Sequence, residues 1–284
     1  MQTGLVTLGD GRALHYYDPT PETTDRLPII YHHGSPNIGE PPEPLFDAAA
    51  ERGLRWIGYD RPGYGSSTAQ PDRSVGQAAF DAAAVADELG LARYAVFGHS
   101  GGGAHALACA ALTPDRVVAA VSVSGLAPLT ARGLDWFAGL YPGGEAELRA
   151  ATQGRDALRH QLRVGEFDRD MFTADDWAAL DGEWAWFNRV VGLADKSGLD
   201  PFMDDDLASV GDWGFDPTHI AVPTLLVHGT ADRVVPASHA RWLAERIDGA
   251  ELLEVEGASH ISVLSAAPTV LDWIATRASN AAGG

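Results

Sequence analysis

Positive charge is what this chain has least of. Its 284 residues carry 20 Lys and Arg against 39 Asp and Glu, a formal net charge of −19. So acidic a chain repels nucleic acid and anionic membranes, and neither is expected as a partner. Lysine is nearly missing, with Lys196 alone among the basic residues. That bias, beside 32 glycines and many alanines, points to GC-rich bacterial coding DNA and concerns origin rather than activity. Cysteine is as scarce: Cys109 is single, cannot close an internal disulfide, and reads as a small buried residue. No apolar run reaches the roughly 18 residues that a membrane span needs. The opening Met1-Gln2-Thr3-Gly4-Leu5 lacks the basic-then-apolar pattern of a secretion signal. A cytoplasmic, reducing location is therefore expected. No His, Cys, Asp or Glu cluster has metal-ligand spacing, so no metal is expected either.

What is present is ordinary globular material, 45% apolar and 21% charged, long enough for one large α/β core with an inserted segment. One stretch organises the rest. Residues 94–97 are apolar, β-branched or aromatic and read as a short buried strand. Small residues follow from Gly101 to Leu112 and read as a tightly packed helix that stops before Pro114. Between them stands Gly98-His99-Ser100-Gly101-Gly102, a G-x-S-x-G sequence. Its physical sense is a sharp strand-to-helix turn that holds a serine hydroxyl exposed, with helix N–H groups aimed at the same point.

Around it, strands and helices alternate. Gly9-Asp10-Gly11 turns an opening hairpin of 5–8 with 12–17. Strands are expected at 28–32, 55–59, 117–123, 223–228 and 251–255. Helices are expected at 44–52, at 74–89 with Ser74 as cap, at 237–247 and at 261–277. That order describes a parallel sheet covered on both faces. From 126 to 215 the pattern lapses into helical fragments that carry five of the eight tryptophans. The acidic run Asp204-Asp205-Asp206 within it reads as a solvated surface. The expected division is a core of 1–125 and 216–278, a helical insertion of 126–215, and a frayed tail of 279–284.

In such sheets chemistry collects beyond the carboxyl ends of the strands. A serine hydroxyl is a poor nucleophile until an imidazole takes its proton, and a carboxylate must hold that imidazole's tautomer. His260, directly after the last strand, is the best-placed base. His32, His33 and His99 read as serving turn backbones, and His228 as satisfying buried hydrogen bonds. Asp232, in the loop leaving the strand of 223–228, is the matching acid; the other natural position offers only Ser124-Gly125-Leu126. Two N–H donors are needed for a tetrahedral oxyanion. The Gly101 N–H supplies one and the Ser35 N–H the other, since Pro36 cannot donate.

Ser100, Asp232 and His260 in that order, the His33-Gly34 loop, and Asp60-Arg61-Pro62-Gly63-Tyr64-Gly65-Ser66 together resemble the α/β-hydrolase fold family. The likeness covers roughly 5–277. It implies an eight-stranded, mostly parallel sheet, a cap formed by 126–215 over the serine, and neither a metal nor an organic cofactor. Relatives that open epoxides or remove halides carry aspartate at the elbow, so Ser100 favours acyl chemistry. A small-molecule ester is the expected substrate, with Trp136, Trp184, Trp186 and Phe187 as candidate pocket residues. Prolyl iminopeptidases are similar in cap and loop, and Glu145, Glu147, Glu166 and Glu183 could serve the substrate amine there. A ligand receptor with little turnover is a third reading.

Overall fold

The computed structural model describes residues 1–282. Eight strands, β1 (Gln2–Thr7), β2 (Ala13–Asp18), β3 (Leu27–His32), β4 (Leu54–Tyr59), β5 (Tyr94–His99), β6 (Val117–Val123), β7 (Thr224–Gly229) and β8 (Glu251–Val255), form one sheet. Their spatial order is β1-β2-β4-β3-β5-β6-β7-β8. The β1–β2 and β2–β4 pairs are antiparallel, and the pairs from β4 through β3 to β8 are parallel.

The central strands β4, β5, β6 and β7 are buried along their whole length. Their side chains alternate between two cores. Ile29, Tyr31, Trp56, Phe97 and Val121 pack on one face with Leu45, Leu271 and Ile274. Ile30, Ile57, Val96, Ala120 and Leu226 pack on the other with Val85, Leu107 and Leu243. Continuous apolar runs arise where both faces of a strand are covered, which is why these strands were legible.

The covering helices are α1 (Phe46–Ala50), α2 (Gln77–Glu88), α3 (Gly101–Leu112), α9 (Ser238–Ala244) and α10 (Ala267–Ala282). Between β6 and β7 lie α4 (Pro142–Ala151), α5 (Arg155–Val164), α6 (Ala174–Asp181), α7 (Trp186–Ala194) and α8 (Asp200–Val210), with no strand among them.

Several expectations need correction. Ser74 does not cap α2; the Gly76 amide is drawn 2.7 Å from the Trp213 carbonyl, and the helix proper starts after it. A 3-10 turn, Ser262–Ala266, precedes α10, so the last helix begins later than expected. It also runs through Ala282, so 279–282 continue the helix, where alanine favours it. Gly283 and Gly284, the rest of the expected tail, lie outside the described residues. The largest correction concerns Asp204, Asp205 and Asp206, which are only 4%, 3% and 7% exposed. Two of them answer arginines from distant loops. No helix among the described residues is long and apolar enough to cross a membrane.

Candidate active site

The turn after β5 is built from what its residues lack. A Cβ on Gly98 would fall on the Gly102 carbonyl, and one on Gly102 would fall on the His32 carbonyl. Ser100, between them, sits at φ 56° and ψ −126°, a left-handed region that a side chain adopts at a cost of about 1–3 kcal/mol. The bend is pinned by its N–H, 2.8 Å from the Val123 carbonyl of the neighbouring strand. Below the turn α3 is filled with small buried residues, Cys109 included, and burial pushes that thiol's pKa up.

Two loops at adjacent strand ends meet the serine. His260 Nε2 lies 2.9 Å from Ser100 Oγ, and His260 Nδ1 lies 2.9 Å from Asp232 Oδ2. A carboxylate only accepts, so Nδ1 carries the ring proton and Nε2 is left to accept from the Ser100 hydroxyl. Asp232 is itself fixed, its Oδ1 accepting from the N–H groups of Val234 at 2.9 Å and Val235 at 3.0 Å. Burial opposes the charge on Asp232. The positive charge taken up by His260 and the hydrogen bond from its Nδ1 outweigh it and hold the carboxyl below the usual range. His228 donates from Nε2 to the Val235 carbonyl at 2.7 Å and thereby steadies the same loop. His99 does the same for the loop of His260: its Nε2 lies 2.9 Å from the His260 carbonyl. Burial, reinforced by the nearby His260, lowers its pKa to about 3, so its ring is neutral and Nε2 donates.

The loop after β3 completes the site. A Cβ on Gly101 would lie 2.8 Å from Ser35 Oγ and 3.7 Å from the Ser35 nitrogen, so the two candidate oxyanion donors stand together beside the serine. Gly101 opens α3, and its N–H is one that a helix leaves without an intrahelical partner. Above them is a cavity of about 510 Å³ with Gly34, Ser35, Ser100 and His260 in its lining. Its remaining wall is mostly apolar and comes largely from the segment between β6 and β7, with Phe167, Phe172, Trp177, Leu180, Phe187 and Val191. Asp195 is the only carboxylate in the lining, and neither Lys nor Arg contributes. Among the described residues, no three His, Cys, Asp or Glu gather as a metal site would require.

The sequence model of a family described as alpha/beta hydrolase fold matches residues 28–267. The chain belongs to that family. Among curated relatives, a non-heme chloroperoxidase of Streptomyces lividans is 33% identical over 95% of this chain and 96% of its own. A bifunctional esterase/perhydrolase of Acinetobacter calcoaceticus is 28% identical over 94% of this chain and 96% of its own. Among solved structures, the enol-lactonase of Burkholderia xenovorans superposes with a TM-score of 0.69 at 22% identity, covering 97% of this chain and 100% of that one. That likeness speaks to the fold.

This alpha/beta hydrolase departs from the sequence-based pocket at three of four positions. Phe187 lines the cavity, whereas Trp136, Trp184 and Trp186 do not. Trp136 donates from Nε1 to the Ala127 carbonyl at 2.8 Å and packs edge-on against His239. Trp184 and Trp186 are 3% and 6% exposed and join the core, Trp186 against Tyr31. Trp184 and Trp186 fill the seam between the inserted helices and the sheet, where their large apolar area is buried.

Two carboxylates escaped sequence reasoning. Asp176, on α6, accepts at Oδ1 from the N–H groups of Ile261 at 2.9 Å and Ser262 at 2.8 Å, directly after His260. Asp205, on α8, accepts from Ser35 Oγ at 2.5 Å and from Arg61 Nη2 at 2.6 Å. The only signal in the sequence was an acidic residue within an otherwise helical stretch, which surface residues share.

Proposed function

We propose that this alpha/beta hydrolase is a serine esterase that forms an acyl-enzyme on Ser100 from a small, uncharged carboxylic ester. The observation that carries the reading is the hydrogen-bonded series Ser100 Oγ–His260 Nε2 and His260 Nδ1–Asp232 Oδ2, at 2.9 Å each, on the floor of a 510 Å³ apolar cavity. Pockets of about 300–1,000 Å³ suit small molecules. In this reading Ser100 Oγ attacks the ester carbonyl as its proton passes to His260 Nε2. The N–H groups of Ser35 and Gly101 take the oxyanion, and His260 returns the proton to the departing alcohol. Water, deprotonated by His260, then releases the acid and restores Ser100. Asp232 stays ionised throughout and stabilises the imidazolium. The segment of 126–215 acts as the cap that walls the acyl or alcohol site.

A cavity without Lys or Arg, in a chain of net charge −19, disfavours anionic substrates. The peptidase alternative is weakened because none of Glu145, Glu147, Glu166 and Glu183 lines the cavity. Glu145 is paired with Arg149 at 2.8 Å instead. The test is a panel of neutral aryl esters of increasing acyl length beside aminoacyl arylamides, for wild type and Ser100→Ala. Ester turnover should dominate and be lost in the variant, by about 10³–10⁶ in kcat. Ester hydrolysis retained by folded Ser100→Ala, or faster cleavage of the arylamides, contradicts the reading. Turnover absent from the whole panel would favour the receptor alternative.

The names of the two curated relatives favour a second activity at the same serine. Hydrogen peroxide attacking the acyl-enzyme in place of water would release a peroxycarboxylic acid and free Ser100. Bromide oxidation that requires peroxide, an acyl donor and Ser100 together would establish it; oxidation surviving in Ser100→Ala would exclude it.

A further inference from the structure

The Ser35 hydroxyl has one proton, and it is committed. It donates to Asp205 Oδ2 at 2.5 Å and accepts from Arg61 Nη2 at 3.0 Å. Whatever Ser35 offers an oxyanion must therefore come from its backbone N–H. The direction of that N–H is fixed from behind. A peptide unit is planar, so the Gly34 carbonyl and the Ser35 N–H point in opposite directions. The Gly34 carbonyl accepts from Arg61 Nη2 at 3.1 Å and from His33 Nδ1 at 2.8 Å. Burial and the Arg61 charge lower the His33 pKa, so its ring is neutral; Nε2 accepts the Arg61 N–H at 3.0 Å and Nδ1 donates. Arg61 Nη1 also reaches the His33 carbonyl.

Arg61 is in turn held by the inserted helix. Asp205 accepts from Arg61 Nη2 and Nε at 2.6 and 3.2 Å, from Arg73 Nη2 at 2.6 Å, and from the Tyr64 hydroxyl at 2.9 Å. Burial opposes its charge, yet Arg61 and Arg73 hold the carboxyl well below the usual range. Asp204 neutralises the rest of Arg73, at 3.1 Å, and pairs with Arg155. Buried ion pairs of this kind add little net stability compared with apolar packing, and their strength lies in fixing geometry.

We propose that Asp205 is a positioning residue for the oxyanion donor: through Arg61 and the Ser35 hydroxyl it fixes the Gly34–Ser35 peptide plane so that the Ser35 N–H faces the oxyanion. The proposal rests on the acyl-enzyme reading above. It makes the inserted segment part of the apparatus that stabilises the transition state, besides walling the cavity.

The first test is Ser35→Ala, which keeps the N–H and the Arg61–Asp205 pair and removes only the hydroxyl. Its kcat on a short neutral ester should fall about tenfold, with KM unchanged. Affinity for a trifluoromethyl ketone, which forms a tetrahedral adduct with serine, should fall by the same factor. Affinity for the corresponding methyl ketone should stay constant. The second test is Asp205→Asn, expected to lose about a hundredfold in kcat with the same split, the folded fraction being checked by circular dichroism. Should Asp205→Asn fail to fold, Ser35→Ala decides. Wild-type kcat and trifluoromethyl ketone affinity in Ser35→Ala, or a loss confined to KM, overturn the proposal. Ester turnover surviving in Ser100→Ala would instead overturn the reading beneath it, so the two failures are distinguishable.

Discussion

Replacing Asp232 with asparagine tests the acid role through hydrogen-bond direction. One carboxylate oxygen accepts two backbone N–H groups, from Val234 at 2.9 Å and Val235 at 3.0 Å, and the other accepts from His260 Nδ1. An amide has one oxygen. Turning its NH₂ toward Val234 and Val235 would strand two N–H donors in a largely buried site, at about 1–3 kcal/mol each. Turning the NH₂ toward His260 costs only a tautomer change, which a neutral imidazole accommodates. The second arrangement wins. Nδ1 then accepts, Nε2 carries the proton, and the ring can no longer take the proton of Ser100. With the stabilising charge also gone, kcat should drop by about 10⁴, equivalent to about 5 kcal/mol in the barrier. Asp232 does not line the cavity, so KM should change little. The assay is steady-state hydrolysis of one short neutral aryl ester from pH 5 to 9, with thermal melts to show that the variant is folded. A folded Asp232→Asn enzyme within tenfold of wild type would refute the assignment of Asp232.

Further outcomes follow from particular contacts. Trp177→Ala should lower kcat/KM for longer acyl chains more than for acetate, because Trp177 walls the cavity; an equal loss at every length would speak for a structural role. Trp186→Ala should leave that preference alone and cost about 3–5 kcal/mol of stability, read from denaturant unfolding, because its side chain is in the core. Burial pushes the Asp81 carboxyl up to about 6, so the folded state holds its proton more tightly than the unfolded chain, and stability is lost as pH rises from about 4 to 6. Asp81→Asn should therefore be more stable than wild type at pH 8, by up to about 3 kcal/mol, with the gain vanishing near pH 4; a pH-independent difference would contradict the buried-carboxyl account. Gly98→Ala should be severely destabilised, since its methyl meets the Gly102 carbonyl, and a wild-type melting temperature would refute that geometry.

The sheet was legible because β4, β5, β6 and β7 are buried along their whole length and so need continuous apolar sequence. Ser100 was singled out by its G-x-S-x-G turn and Asp232 and His260 by their places beyond strand ends, and the structure brings the three into one hydrogen-bonded series. What could not be read is whatever depends on a partner far away in the chain. Asp205 looks like surface until Arg61, 144 positions earlier, is brought against it. The tryptophans of the inserted segment posed the opposite problem. Their area demands burial, but composition does not say whether along a cavity or against the sheet, and Trp177 lines the cavity while Trp184 and Trp186 pack in the core.

The two carboxylates from the inserted segment tie pocket shape to the site's working loops. Asp176 is the third residue of α6. Its Oδ2 accepts the Thr173 N–H at 3.1 Å to close a capping box, while its Oδ1 holds the two N–H groups that follow His260. Trp177 on the same helix turn, and Phe172 just before it, wall the cavity. One short helix therefore sets both a side of the pocket and the anchor of the loop that carries His260. On the other side Asp205 of α8 anchors the Ser35 loop, without α8 itself lining the cavity. An insertion free to evolve would change wall residues one at a time. An insertion bearing this anchor can vary Trp177 or Phe172 only while Asp176 keeps its backbone position. Phe172 and Trp177 flank Asp176 in the chain, so a change at either that moved the start of α6 would also move the N–H groups that follow His260.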